Sequence, residues 1–535
     1  DEVVRFAQGL PQVSVVETVP HLCLREDLDR VKRRIEDGGL NRVVYAACAP
    51  HPFEVRFRKS LKETGLNPAL LEIANLREQL SWTQDDTEKA TASAKSLIGM
   101  AVEKLRLQEP LPIVSSPLTR SALVIGAGIA GMTAASAIAE HGFEVDLVER
   151  KSELGGNLKQ VQYTLEGLDP QKLLRDTVDK VEKNSLVHIH RETELERLTG
   201  YAGNFKTVLK SVNSSTYQPM EKEHGAIVIA TGGREYAPKE YLCGKDERVI
   251  TQRELERRLS TRNSELRTLN SVVMIQCVES RDDERPYCSR ICCSQAIKNA
   301  LKIKERDPAS EVYILYRDIM TYGLSEVHYA EAREKGVIFI RYEPEEKPQV
   351  SAEETHLTVK IKDPVLNEYL IITPDLLVLS PGIAPNENQV LAHVLSAGLT
   401  QDGFFEEANV KWRPLDLARS GIFLCGLAHS PRSIRESRDQ AYGAAARAVS
   451  LLSKKEIPSR RAIAEVNERW CVGCEMCIEY CPFDARVMDE ERKIALVREA
   501  VCQGCGACQV ACPSSASRMR SFRDPQILAM IHAAL

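Results

Sequence analysis

The stretch SALVIGAGIAGMTAASAIAEHGFEVDLVERKSELGGN, residues 121–157, decides the fold. Its apolar opening, 122–125, predicts a buried parallel strand. Gly126, Gly128 and Gly131 follow at G-x-G-x-x-G spacing. In that motif the first glycine allows a tight turn, the second lets a pyrophosphate approach the backbone, and the third lets the next helix pack against the strand. A helix over 130–140 would aim its positive end at the phosphates. A second strand over 143–148 runs into Glu149, placed to accept a hydrogen bond from a ribose hydroxyl. Strand, glycines, helix, strand and acid in this order predict a dinucleotide site rather than a chance Gly-rich turn.

Residues beyond Glu149 separate FAD from NAD. Arg150 leads into Gly155, Gly156 and Asn157, which resembles the E-R-x-x-x-x-G-G stretch of flavoproteins with two dinucleotide domains. Thr231 and Gly232, after the apolar run 226–229, resemble the A-T-G strand end of the same proteins. The resemblance implies FAD and an α/β, thioredoxin-reductase-like lobe. Such proteins place an Asp after the glycine that ends their last strand; here Gly426 is followed by Leu427. A helix is expected next, over 434–452, and its dipole would favour negative charge on the flavin.

A chain of 535 residues should hold several domains. Its net charge of −5 is spread along the sequence without a basic block, which argues against nucleic acid as a partner. No run of about eighteen apolar residues predicts a transmembrane helix. No signal-peptide pattern is visible, and the first residue is Asp1, so a native start upstream is expected. Of 16 cysteines, eight sit in two C-terminal clusters and four in one central stretch. Such clustering reads as metal ligation in a reducing compartment, with the cytoplasm as the expected location.

Residues 1–107 read as a small α/β domain, incomplete at its start, with strands at 13–16 and 42–47 and helices at 27–36 and 86–107. Three prolines in 108–119 mark a linker. The flavin domain is expected over 120–455, interrupted after Gly233 and resuming near 373, with an inserted lobe at 240–372. Relatives carry a nicotinamide-binding lobe there. A second G-x-G-x-x-G should follow the strand 271–276 and does not. Instead comes CVESRDDERPYCSRICC, 277–293, with Cys277, Cys288, Cys292 and Cys293. Four thiolates suit a [4Fe–4S] cluster. Tetrahedral zinc also takes four cysteines, although this spacing matches neither common zinc pattern. Unliganded thiols are the third reading.

Residues 456–522 predict a ferredoxin domain. Cys471, Cys474, Cys477 and Cys481 have C-x₂-C-x₂-C-x₃-C-P spacing, and Cys502, Cys505, Cys508 and Cys512 repeat it. This is the two-cluster pattern in which the fourth cysteine of each run crosses to the other cluster. Cys512 should therefore join Cys471, Cys474 and Cys477, and Cys481 should join Cys502, Cys505 and Cys508. A short helix over 523–535 is expected to dock on its own domain.

Together these features resemble the family of heterodisulfide reductase A subunits, over nearly the whole chain. The resemblance rests on AACAPHPFE (46–54), the flavin fingerprint with GGN, IQCVESRDDERPYCSRICC (275–293), FLCGLAHSPRSIRESRDQA (423–441) and the double ferredoxin motif. It implies that the central quartet ligates a cluster near the flavin. It puts Gly426 and Gln440 in the flavin-facing segment and Lys298 near the reactive edge of the ring. A solvated helix lysine is the plainer alternative for Lys298. Full members open with a Cys-x-Cys-Gly stretch that completes an N-terminal cluster with the positions of Cys23 and Cys48. This sequence starts after that point, so those two read either as cluster ligands or as ordinary half-buried thiols. Methanogen members insert a ferredoxin domain after the A-T-G strand; residues 234–270 are too short for it.

The implied function is electron transfer, bifurcating or confurcating, within a cytoplasmic multi-subunit complex. The implied partners are heterodisulfide-reductase B- and C-like subunits, hydrogenase-delta-like or other redox subunits, and ferredoxin, around a homodimer. Members of the family serve heterodisulfide, methylene-tetrahydrofolate or benzoyl-CoA reduction. A stand-alone NAD(P)H- or ferredoxin-dependent flavoprotein oxidoreductase is the alternative, and a non-redox scaffold with structural clusters is a third class.

Overall fold

The computed structural model describes residues 1–111, 115–213, 218–261, 269–458, 463–499 and 501–535, without the side chains of 51, 52, 116 and 458. It comprises two compact units, Pro117–Lys455 and the pair of segments Asp1–Ser116 and Glu456–Leu535.

In the first unit a parallel sheet has the strand order Ile422–Leu424, Ala226–Ile229, Ser121–Ile125, Glu144–Val148 and Val187–His190. Ile125 pairs with both Val148 and Ile229, so the strands end flush and open a crevice at Gly126. Small side chains allow close packing on one face. Ala134 and Ala135 of helix Ile129–Glu140 share a buried core with Ala441, Ala444, Ala445 and Ala448 of helix Ile434–Leu452. An antiparallel sheet of Thr193–Tyr201, Asn204–Ser211 and Met220–His224 follows the Val187–His190 strand.

The chain leaves and re-enters this lobe through Gly233–Glu235, paired antiparallel with Ile383–Pro385. Between them lies a second parallel sheet, ordered Val249–Thr251, Leu376–Pro381, Ser271–Val278, Glu311–Tyr316 and Val337–Arg341. The sequence placed 376–381 in the flavin lobe, resuming after 372. It is instead hydrogen-bonded between two strands of the second sheet, so the inserted lobe closes at Pro381. A buried apolar run carries no mark of which sheet receives it.

In the second unit Val43–Ala47 pairs in parallel with Leu71–Asn75, flanked by helices Arg25–Asp37, Pro50–Glu63 and Thr87–Arg106. The expected strand 13–16 is irregular chain, and Val15 is exposed. Val16 is partly buried with Val44 against Ala74, Ile98 and Ala101, so the run is held by apolar packing without strand pairing. The cysteine-rich half consists of two antiparallel ribbons, Ala464–Val466 with Ser517–Met519 and Arg486–Asp489 with Ile494–Val497, and two one-turn helices, Met476–Glu479 and Ala507–Val510.

The tail helix Asp524–Ala534 packs on Thr87–Arg106 of the N-terminal half. A Cβ at Gly99 would stand 3.6 Å from the Ala533 carbonyl. Gln108, expected at the head of a linker, is buried and accepts a hydrogen bond from Gln526 Nε2 at 3.0 Å. The Arg42 guanidinium holds the Leu105 and Gln108 carbonyls, each at 3.0 Å. The rest of the expected linker includes 112–114, outside the described residues.

Candidate flavin and cluster sites

The three fingerprint glycines divide into two kinds. Gly126 has φ +102°, and a Cβ there would stand 2.4 Å from the Ala230 oxygen; a Cβ on Gly131 would stand 1.7 Å from the Gly126 oxygen. The protein itself forbids side chains at both. A Cβ on Gly128 would meet no protein atom within 4 Å, so the space beside its backbone is open. Gly155 closes the cradle, its N–H donating to the Ala127 carbonyl at 2.8 Å, and a Cβ on Gly156 would be 3.2 Å from Gly128 Cα. This bare backbone at a helix N-terminus fits a dinucleotide pyrophosphate.

Glu149 is held by its own turn. Oε2 accepts from the Ala127 N–H at 2.8 Å and Oε1 from Lys151 at 2.9 Å, leaving lone pairs for a ribose hydroxyl. Arg150 is exposed beside it. Asn157 Nδ2 donates to the Gly233 carbonyl at 2.7 Å, tying the GGN turn to the lobe crossing. The Thr231 hydroxyl is buried without a partner among the described residues, and Gly232 has φ +79°. Asn386 Nδ2 holds the Thr231 carbonyl at 2.8 Å, a contact that no spacing rule could have found.

At Gly426, where the Asp is missing, a hydrogen-bond network surrounds the strand end. Gln440 Oε1 accepts from the Gly426 N–H at 3.0 Å, and Gln440 Nε2 donates to His429 Nδ1 at 3.1 Å. Arg432 also donates to Nδ1, and His429 Nε2 meets Glu407 Oε2 at 2.9 Å. Both neighbours of Nδ1 are donors, which assigns the neutral Nε2–H tautomer. Burial pushes the His429 pKa down, in keeping with that form. Sequence reasoning missed Glu407 and read His429 as a structural histidine, because an isolated acid and histidine carry no spacing signal.

The central cysteines converge. Cys277 stands at the bulged end of Ser271–Val278 with φ +57°, and Cys292 and Cys293 open helix Cys292–Arg306. With Cys288 they line one pocket of about 300 Å³, its open mouth included, beside Arg281 and Arg290. Burial pushes the Cys277, Cys292 and Cys293 thiols up, Cys293 to about 12. Such thiols stay protonated unless a metal displaces the proton. Among the described residues no three His, Cys, Asp or Glu side chains gather tightly enough to hold a single ion. A lone zinc requires all its sulfurs at about 2.3 Å, whereas each thiolate of a cubane cluster binds its own iron. The quartet fits the larger group.

Lys298 is not a solvated lysine. Nζ lies 2.9 Å from Glu256 Oε2, whose side chain is 1% exposed, and donates to the Tyr163 carbonyl at 2.7 Å. Burial pulls the Lys298 pKa down against the opposing pull of Glu256. Cys23 and Cys48 are half-buried, and both lie near the Arg77 guanidinium.

In the other unit Cys471, Cys474, Cys477 and Cys512 line a single pocket. Ala495 N–H donates to Cys471 Sγ and Ser517 N–H to Cys512 Sγ, each at 3.4 Å. Cys481 lies close to Cys505 and Cys508. Ala464 and Ala485 N–H groups donate to Cys502 and Cys481 at 3.3 Å. The left-handed residue before each one-turn helix is Glu475 (φ +62°) in one repeat and Gly506 (φ +80°) in the other.

Two family descriptions match parts of this chain: an NAD(P)-binding Rossmann-like domain over residues 124–174 and a 4Fe-4S dicluster domain over 470–516. The second iron-sulfur A subunit of the CoB–CoM heterodisulfide reductase of Methanopyrus kandleri is 33% identical, covering 90% of this chain and 88% of that protein. The corresponding A subunit of Methanocaldococcus jannaschii is 33% identical, covering 100% of this chain and 95% of its own length. That alignment spans 631 positions, more than the 535 residues here, so the relative carries additional segments. Among solved structures, thioredoxin reductase of T. acidophilum is similar at 16% identity over 62% of this chain and 98% of that one, with a TM-score of 0.42. The chain belongs to the family of heterodisulfide reductase A subunits, as an oxidoreductase component with FAD and [4Fe–4S] clusters as cofactors.

Proposed function

We propose that this chain is the flavin-centred electron-transfer subunit of a cytoplasmic heterodisulfide-reductase-type complex, working in the bifurcating or confurcating mode. One observation carries the reading: Cys277, Cys288, Cys292 and Cys293 line a pocket where a nicotinamide dinucleotide would otherwise dock, at the C-terminal edge of the second sheet. When bound, FAD exchanges electron pairs and single electrons, and [4Fe–4S] clusters carry single electrons.

The chain's own residues bind and hold. Gly128 and the N-terminus of Ile129–Glu140 receive the pyrophosphate, and Glu149 the ribose. The N-terminus of Ile434–Leu452 favours negative charge on the ring, its first turn capped by Ser433 and Glu436. Lys298 holds a proton at Nζ beside Glu256, and burial lowers the cost of releasing it. Cys277, Cys288, Cys292 and Cys293 hold one cluster; Cys471, Cys474, Cys477 and Cys512 a second; Cys502, Cys505, Cys508 and Cys481 a third. The N–H groups donating to Cys288, Cys471, Cys481, Cys502 and Cys512 tune their potentials.

A relative that is the A subunit of an H(2):CoB-CoM heterodisulfide,ferredoxin reductase supports ferredoxin and redox partner subunits as electron acceptors. Among the described residues no helix is long and apolar enough to cross a membrane.

Iron and flavin analysis of the anaerobically reconstituted chain tests the reading. About twelve iron atoms and one FAD per chain are expected, with about four iron atoms lost in Cys292→Ser. Iron unchanged in Cys292→Ser, or rapid flavin reduction by NADH or NADPH without a partner, would sink it.

A further inference from the structure

One charged contact ties the central cysteine loop to the helix whose N-terminus serves the flavin site. Arg290 stands between Cys288 and Cys292 with a left-handed backbone, φ +61°, and its N–H donates to Cys288 Sγ at 3.3 Å. Its guanidinium has other partners. Nη2 lies 2.6 Å from Glu436 Oε1 and 3.0 Å from the Tyr322 hydroxyl, which donates to the same carboxylate oxygen at 3.1 Å. The other oxygen, Glu436 Oε2, accepts the Ser433 N–H at 2.9 Å and so completes the capping box of Ile434–Leu452.

The pair is half-buried, with side-chain exposures of 34% and 26%. Its charges are therefore neither fully screened by water nor fully desolvated. A second cation, Arg432, stands close to Arg290 and Glu436, its Nε buried without a partner among the described residues. Arg290 also lines the cysteine pocket. Adding an electron to a cluster there adds one negative charge, which a neighbouring cation stabilises and a carboxylate opposes.

We propose that Arg290 and Glu436 are positioning residues that hold the cysteine loop on the flavin-facing helix and set the central cluster's potential in opposite senses, Arg290 raising it and Glu436 lowering it. The inference rests on the cluster assignment proposed above. It adds a reason for a charged contact at this point: the loop is fixed to the helix by a pair whose net charge is near zero, so fixing it leaves the cluster potential nearly unbiased.

The test is an EPR-monitored redox titration of the FAD- and cluster-loaded chain, following the signal that Cys292→Ser removes. At a fixed ambient potential, Arg290→Gln is expected to lower the reduced-to-oxidised ratio about tenfold, ~59 mV for a one-electron couple. Glu436→Gln is expected to raise it comparably, and Arg290→Lys to stay near the parent. The double neutral variant, Arg290→Gln with Glu436→Gln, should return towards the parent, and the ferredoxin-type signals should not move in any variant. Loss of contact alone would displace both single variants the same way. A shift of the same sign in both, or none in either, overturns the proposal. A parent protein with no Cys292-dependent signal overturns the cluster assignment itself, and this inference with it. FAD content and the ferredoxin-type signals report whether each variant has folded.

Discussion

Lys298 Nζ and Glu256 Oε2 face each other at 2.9 Å, and the carboxylate is almost wholly buried. Glu256 Oε1 also accepts the Gln162 N–H at 2.7 Å, so one acid holds a lysine and the segment that follows the GGN turn. Removing it leaves the Gln162 N–H without this acceptor and leaves the Lys298 charge buried with only the Tyr163 carbonyl as partner. Glu256→Ala should cost about 3–5 kcal/mol of stability. Lys298→Met should cost less, because the carboxylate keeps its backbone partner. Denaturant unfolding of the flavin-loaded chain checks the order, and equal losses would count against it.

The crossed cysteines separate sequence neighbours from spatial ones. Cys512→Ser should perturb the same EPR signal as Cys474→Ser, since both residues line one pocket. Cys481→Ser should perturb the signal that Cys505→Ser removes. If Cys512→Ser instead altered the signal assigned through Cys505, the two ligand sets would have to be exchanged.

Gly128 and Gly131 should fail in different ways. Gly131→Ala places a Cβ 1.7 Å from a backbone oxygen, so strand and helix must part. It should lower stability by at least about 1–3 kcal/mol, even without flavin. Gly128→Ala meets no protein atom, so the flavin-free protein should melt as the parent does. Its FAD dissociation constant should rise about tenfold or more, because the methyl group occupies the pyrophosphate approach. Thermal melts with and without FAD, together with a flavin titration, separate the two.

Asp146 predicts an acid limb in the stability profile. Oδ1 meets His190 Nε2 at 2.6 Å and Lys222 Nζ at 3.3 Å, and Oδ2 meets His224 Nε2 at 2.9 Å. Burial by itself would push this carboxyl up. The hydrogen bonds from His190 and His224, with the charges of His224 and Lys222, outweigh it and hold the group far below the usual carboxylate range. A folded-state pKa below the unfolded one gives stability that is complete above the unfolded value of about 3.9 and lost as pH falls below it. Asp146→Asn should therefore be less stable than the parent at pH 7 and show a shallower decline between about pH 5 and pH 3. Parallel slopes for the two proteins would refute this.

Much of the site could be read locally. The helix predicted over 434–452 is Ile434–Leu452, and the strand predicted over 226–229 is Ala226–Ile229. Their periodicity and their flanking turn residues lie within the segments themselves. Local pattern misleads where a segment's partner comes from elsewhere in the chain. Residues 13–16 have strand-like composition yet remain irregular chain, and the tail helix finds its seat on Thr87–Arg106.

The sequence by itself determined the dinucleotide turn and the spacing of twelve candidate cluster cysteines, because both depend on backbone geometry over a few consecutive residues. Only the tertiary structure decided that Leu376–Pro381 belongs to the second sheet, that Lys298 is neutralised by Glu256, and that Arg290 reaches Glu436 across 146 residues of chain. Those relationships arise when separate strands and helices close on one another, and the chemistry of a residue carries no record of the distant partner that closure will bring to it.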